Sequence, residues 1–161
     1  MQRRVDGGRT KHLYFSDQVI RGMSETDEIY QVVRKYWKIL VKWVLRIHNY
    51  PETTVDELHE KLDSDMPPLM IDIRTVADYN GTGSSKYGHI KDAISIPMLE
   101  LESRLEELEE YKEKEIVTMC PGGGLSLAAV DAMQEAGFKN VKSLKGGTDA
   151  WHRKGYPTVA G

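Results

Sequence analysis

Cys120 is the only cysteine in a chain of 161 residues, and Pro121, Gly122, Gly123 and Gly124 follow it directly, ahead of Leu125 and Ser126. A lone thiol cannot build a disulfide framework or a Cys-Cys metal site. It is either a small buried hydrophobe or a nucleophile, and the glycines favour the nucleophile. Between the end of a strand and the start of a helix, three residues without side chains let successive backbone N–H groups approach one point. There the amides and the helix dipole stabilise negative charge, so a sulfur at that point is favoured as the reactive thiolate. Pro121 stiffens the turn without adding a donor. The same loop type can cradle a nucleotide phosphate, but no G-x-x-x-x-G-K-[ST] is present and no lysine occurs between Glu115 and Phe138.

Other polar residues carry two readings. Asp72 and Arg74 close an apolar strand and either shape the rim of the site or hold the fold through buried polar bonds. Ser126 either offers a hydroxyl to the sulfur or caps the helix that follows, and the cap is favoured. His89 is a general base or a structural hydrogen-bonder, with the structural role favoured. No cluster has metal-ligand spacing, so neither a metal nor another cofactor is expected.

The elements that position Cys120 can be read from apolar spacing. Leu69 to Ile73, Ala93 to Ile96, Ile116 to Met119 and Val141 to Leu144 are compact apolar strands. Thr54-Val55-Asp56-Glu57 has the pattern of a capping box, opening a helix through Leu58 and Leu62. Met98, Leu101, Leu105 and Leu108 mark a second helix. Leu125 to Ala136 is a third, closed by Gly137, and Gly146-Gly147 opens a last one through Trp151, whose side chain is expected in the core. Short strands alternating with helices predict an α/β domain with a parallel sheet. Asn80 to Tyr87 reads as a polar loop.

Residues 1–48 have a different character. Met1 to about Glu28 is a polar, Gly/Arg-rich stretch that reads as a mobile tail. From Ile29 to Ile47 an amphipathic helix is expected. Arg34, Lys38, Lys42 and Arg46 form a cationic stripe, and Tyr36, Trp37, Ile39, Leu40, Trp43, Val44 and Ile47 supply far more apolar surface than a solvated helix tolerates. That face has three candidate occupants: the domain itself or a second copy in a homodimer, a membrane surface in peripheral contact, or a partner protein. The domain boundary is placed between residues 48 and 49.

Lysine and arginine number 22 against 25 acidic residues, a net charge of −3, which argues against a nucleic-acid partner. No signal peptide or membrane span is legible, so the expected compartment is cytoplasmic, where a lone thiol stays reduced.

Leu69-Met70-Ile71-Asp72-Ile73-Arg74, Asp78-Tyr79, Gly88-His89-Ile90-Lys91-Asp92-Ala93 and Ile96-Pro97 resemble the N-terminal signature of single-domain rhodaneses. Cys120 and its glycines resemble the family's active-site segment. Gly146-Gly147-Thr148-Asp149-Ala150-Trp151 and Gly155-Tyr156-Pro157 resemble its C-terminal signature. The resemblance runs in order from about residue 52 to 159. It implies a three-layer rhodanese-like domain over 49–161 with a five-stranded parallel sheet, and a sulfurtransferase in which Cys120 carries a persulfide. Its substrates would be a small sulfur donor and a thiol or cyanide-like acceptor, with a sulfur-relay protein as a further partner. The alternative is a non-catalytic rhodanese-like module retained for protein or membrane docking.

The loop departs from the family in one respect. Many rhodaneses carry a cation there, whereas Pro121 to Ser126 contains none. Charge-assisted bonds are about twice as strong as neutral ones, so a doubly charged donor should lose most. Weak thiosulfate activity and a preference for persulfide or polysulfide donors are therefore expected. Cysteine phosphatases need an arginine six residues after the nucleophile; here that position is Ser126, which argues against phosphoryl transfer.

Overall fold

The computed structural model describes residues 28–45 and 49–161, with side chains from Tyr30 onward. The expected tail and the end of the amphipathic helix, including Arg46 and Ile47, lie outside the described residues. The chain divides into two units, Met1–Lys35 and Tyr36–Gly161. Of the first, only the opening turns of helix α1 (Glu28–Val44) are described.

In the second unit the remaining turns of α1 lead to β1 (Glu52–Thr53), α2 (Val55–Leu62), β2 (Leu69–Asp72), α3 (Val76–Tyr79) and β3 (Ile94–Ser95). A 3₁₀ helix (Glu102–Tyr111), β4 (Glu115–Met119), α4 (Leu125–Glu135), β5 (Asn140–Leu144) and α5 (Gly147–Arg153) complete it. The five strands form one sheet in the order β1-β5-β4-β2-β3. Every neighbouring pair is parallel. Parallel sheets bury both faces, and central β4 is accordingly buried from Ile116 to Met119.

Alternation along β4 sorts the two faces. Val117 and Met119 join Val55, Leu58, Met70, Leu144 and Trp151 in a cluster contributed partly by α2 and α5. Thr118 points the other way and donates to the carbonyl of Ser126 on α4 at 3.0 Å. The sheet thus lies between α2/α5 and α4, the three-layer arrangement expected. Trp151, 1% exposed, is core as expected.

The helix starts follow local chemistry. Thr54 Oγ1 accepts from Glu57 N at 3.2 Å, and Glu57 Oε2 accepts from Thr54 N at 2.8 Å, completing the expected capping box. Two elements differ from expectation. β1 has no counterpart among the four apolar runs: Glu52-Thr53 is too short and too polar to show periodicity. It is fixed instead by pairing with Ser143 and Leu144. The helix expected around Met98–Leu108 is a 3₁₀ helix over Glu102–Tyr111, and the i, i+3 spacing of Leu105 and Leu108 suits its three-residue turn.

Candidate active site

Cys120 follows the last residue of β4, and its side chain is 2% exposed. Two backbone amides donate to its sulfur, Gly123 N at 3.2 Å and Ser126 N at 3.4 Å. Ser126 Oγ lies 3.5 Å away. Charged acceptors gain most from such donors, so the convergence stabilises a negative sulfur.

The loop is held open by what grips its other side. Thr148 N donates to Cys120 O at 2.9 Å and Asp149 N to Pro121 O at 3.0 Å, both from the first turn of α5. With the Pro121 carbonyl turned toward α5, the trans peptide sends the Gly122 N–H the opposite way. Glycine is obligatory at two points of this clamp. Gly123 has φ +87°, and Gly147 has φ +62° with Cys120 O only 2.0 Å from where a Cβ would stand.

The seven loop residues read from the sequence thus come together, in different environments. Pro121 and Gly122 are exposed, Leu125 is half-buried, and Gly123, Gly124 and Ser126 are buried with the cysteine. Ser126 corrects one expectation. It lies within the first turn of α4, whose N-cap is Gly124 with no side-chain cap bond. Its hydroxyl turns inward instead, donating to Gly123 O at 3.1 Å and touching the sulfur.

Asp72 and Arg74 form a buried ion pair rather than part of the sulfur's shell. Arg74 Nε and Nη2 reach both carboxylate oxygens, at 2.9 and 2.6 Å, and Nη2 also donates to Gly88 O at 2.7 Å. Burial opposes the guanidinium charge, yet the bonds to Asp72 outweigh it and raise Arg74 above its ordinary value. His89 is structural as well: its Nδ1 bonds Tyr79 O at 2.9 Å, and its ring stacks on Tyr79 at 3.6 Å.

Three neighbours of the site escaped the sequence reading. Ser143 on β5 packs its hydroxyl 2.7 Å from Ser126 Oγ. Tyr87 bonds Thr148 Oγ1 at 3.0 Å and also Asp149; burial first, then the Asp149 bond, raises its phenol above the ordinary value. Trp43 lays its benzo ring against Gly124, where a Cβ would stand 2.7 Å from Cδ2. A polar residue inside an apolar strand was the available signal for Ser143; Trp43 showed only as apolar surface, because the glycine it packs on lies some eighty positions away. Among the described residues no group of His, Cys, Asp and Glu could hold a metal, and no helix is long and apolar enough to cross a membrane.

Known proteins match this arrangement. The Rhodanese-like domain family matches residues 54–154. A sulfurtransferase of Allochromatium vinosum is 32% identical over 109 residues, which cover 68% of this chain and 94% of that protein. A putative sulfur carrier protein, YrkF of Bacillus subtilis, is 32% identical over 65% of this chain, but the match spans only 52% of its own length. Among solved structures, a rhodanese-related protein from Thermoplasma volcanium aligns at a TM-score of 0.58 and 27% identity, over 68% of this chain and 98% of that one. With its signature segments in order and its sheet and loop in place, this chain belongs to the rhodanese-like sulfurtransferase family.

Proposed function

We propose that this protein moves sulfane sulfur through a persulfide on Cys120, taking it from persulfide or polysulfide donors rather than efficiently from thiosulfate. The Cys120 thiolate attacks the outer sulfur of the donor. A new S–S bond forms, the donor's S–S bond breaks, and the donor departs with the electron pair. The terminal sulfur, now carrying the charge, sits at the loop from Pro121 to Ser126. An acceptor thiolate then attacks that sulfur, and Cys120 leaves as thiolate, ready for another cycle.

The observation that carries this reading is the convergence of Gly123 N, Ser126 N and Ser126 Oγ on one buried sulfur. The donor preference rests on the loop's lack of a cation between Pro121 and Ser126. The sulfur-carrier name of one relative supports a protein acceptor in a relay.

Intact-mass measurement after polysulfide treatment tests the proposal. Wild type should gain one sulfur atom that added thiol removes, and Cys120→Ser should gain none while melting at the same temperature. A wild type that takes up no labile sulfur would leave a docking module as the better account.

A further inference from the structure

Beside the sulfur, two buried hydroxyls lie in contact. Ser126 and Ser143 are both 0% exposed. Their oxygens are 2.7 Å apart, so one hydrogen lies between them. Only one hydrogen then remains for two acceptors. Gly123 O lies 3.1 Å from Ser126 Oγ and 3.3 Å from Ser143 Oγ, while Cys120 Sγ lies 3.5 Å from Ser126 Oγ.

The pair therefore has three proton arrangements. In the first, Ser143 donates to Ser126 and Ser126 donates to the sulfur. In the second, Ser126 donates to Ser143 and Ser143 donates to Gly123 O. In the third, Ser143 donates to Ser126 and Ser126 donates to Gly123 O. An anionic sulfur selects the first arrangement, since bonds to charged acceptors are stronger. Once the inner sulfur is neutral, in the thiol or the persulfide, the free hydrogen goes to the Gly123 carbonyl, as in the second and third.

We infer that Ser143 is a positioning residue for sulfur transfer, acting through Ser126 to place a third hydrogen-bond donor on Cys120 when its sulfur is anionic. The Ser143 hydroxyl bonds Ser126 Oγ and Gly123 O rather than the sulfur itself. It can donate to Ser126 Oγ, and accepting that bond makes Ser126 a better donor. Without Ser143, Ser126 donates more weakly, so the closer Gly123 carbonyl holds more of its hydroxyl and the sulfur relies chiefly on its two amides. The inference rests on Cys120 being the sulfur that carries charge in the proposed cycle.

The test is a double-mutant cycle read by the rate at which iodoacetamide alkylates Cys120 across pH, a measurement that needs no sulfur donor. Ser126→Ala should slow alkylation at neutral pH by about tenfold, the loss of a hydrogen bond to a charged group. Ser143→Ala should slow it by about threefold, since it weakens that bond without deleting it, and should displace the pH profile upward. In the Ser126→Ala background, Ser143→Ala should change nothing further, and Ser143→Thr alone should restore the wild-type profile. Additive effects of the two alanine changes would overturn the inference, as would a Ser143→Ala profile superposing on wild type. Failure of persulfide formation with the cycle intact would overturn the transfer reading instead.

Discussion

Trp43 and Gly124 are in such close contact that the six-membered ring of the indole occupies the place of the missing side chain. A Cβ at 124 would meet Trp43 Cδ2 and Cε3, both at 2.7 Å. An aromatic residue from outside the family-matching segment thus packs on the loop that holds the candidate nucleophile. Tyr36 adds a second tie, its hydroxyl 3.4 Å from Glu102 Oε1.

Gly124→Ala is therefore predicted to cost about 1–3 kcal/mol through overpacking, measured by denaturant unfolding. The cost should largely vanish in Trp43→Ala, which opens the same space. Equal costs in both backgrounds would mean that the ring moves aside freely.

The loop's missing cation can be restored at Leu125, which is half-buried and adjoins Ser126. Leu125→Arg should raise thiosulfate:cyanide kcat/KM by about tenfold, the scale of one charge-assisted bond. Turnover with a monoanionic persulfide should change less. If wild type already turns over thiosulfate as well as it does persulfide, the preference proposed above fails.

What could be read in advance follows physical range. Strands β2, β4 and β5 and the Cys120 turn declare themselves within a few residues, by apolar runs and by glycines. β1 does not, because Glu52 and Thr53 become strand only by pairing with Ser143 and Leu144. Ser126 carried two local meanings, cap and donor, and a neighbour 17 positions away, Ser143, marks which one holds. Trp43 was legible as apolar surface needing cover, while the glycine against which it packs was not.

The Asp72–Arg74 pair has both side chains 0% exposed. Removing one partner leaves a buried charge without compensation, so Arg74→Met should cost about 3–5 kcal/mol. The double change Asp72→Leu with Arg74→Met should recover much of that loss, because neither charge then remains. Unfolding free energies of the three variants decide this, and a double variant worse than Arg74→Met would contradict it.

At Gly147 the obstacle is backbone rather than side chain. Added atoms would meet Cys120 O at 2.0 Å and Pro121 O at 2.3 Å, the carbonyls that α5 grips. Gly147→Ala should therefore cost more than about 4 kcal/mol and leave little folded protein. Gly155→Ala, with nothing within 4 Å and a similar φ of +75°, serves as the control. It should cost only the strain of a left-handed residue, about 1–2 kcal/mol. Similar losses at the two positions would assign the Gly147 effect to backbone conformation alone.

Glu115 ties three elements together: its Oε1 accepts from Lys61 on α2 at 2.6 Å and from Lys142 on β5 at 2.9 Å. Burial pushes its carboxyl upward, but the bonds from Lys61 and Lys142 outweigh that and hold it below its ordinary value of 4.5. A carboxyl depressed in the folded state stabilises it fully above the unfolded value and loses that contribution as pH falls through the folded one. Lys61, raised above 10.5 chiefly by the Glu115 bond, sets the other end: its contribution is complete below that value and fades above it. Wild type should therefore exceed Glu115→Gln in stability by about 0.5–1 kcal/mol across the plateau between, a size limited by the partial exposure of all three side chains. The gap should narrow as pH falls below 4.5, close once the carboxyl is protonated in the folded state too, and close again in strong alkali. Urea titrations of both proteins at stepped pH measure it. A difference that persisted undiminished in acid would mean that the amide disturbs packing and that the ion pairs contribute nothing.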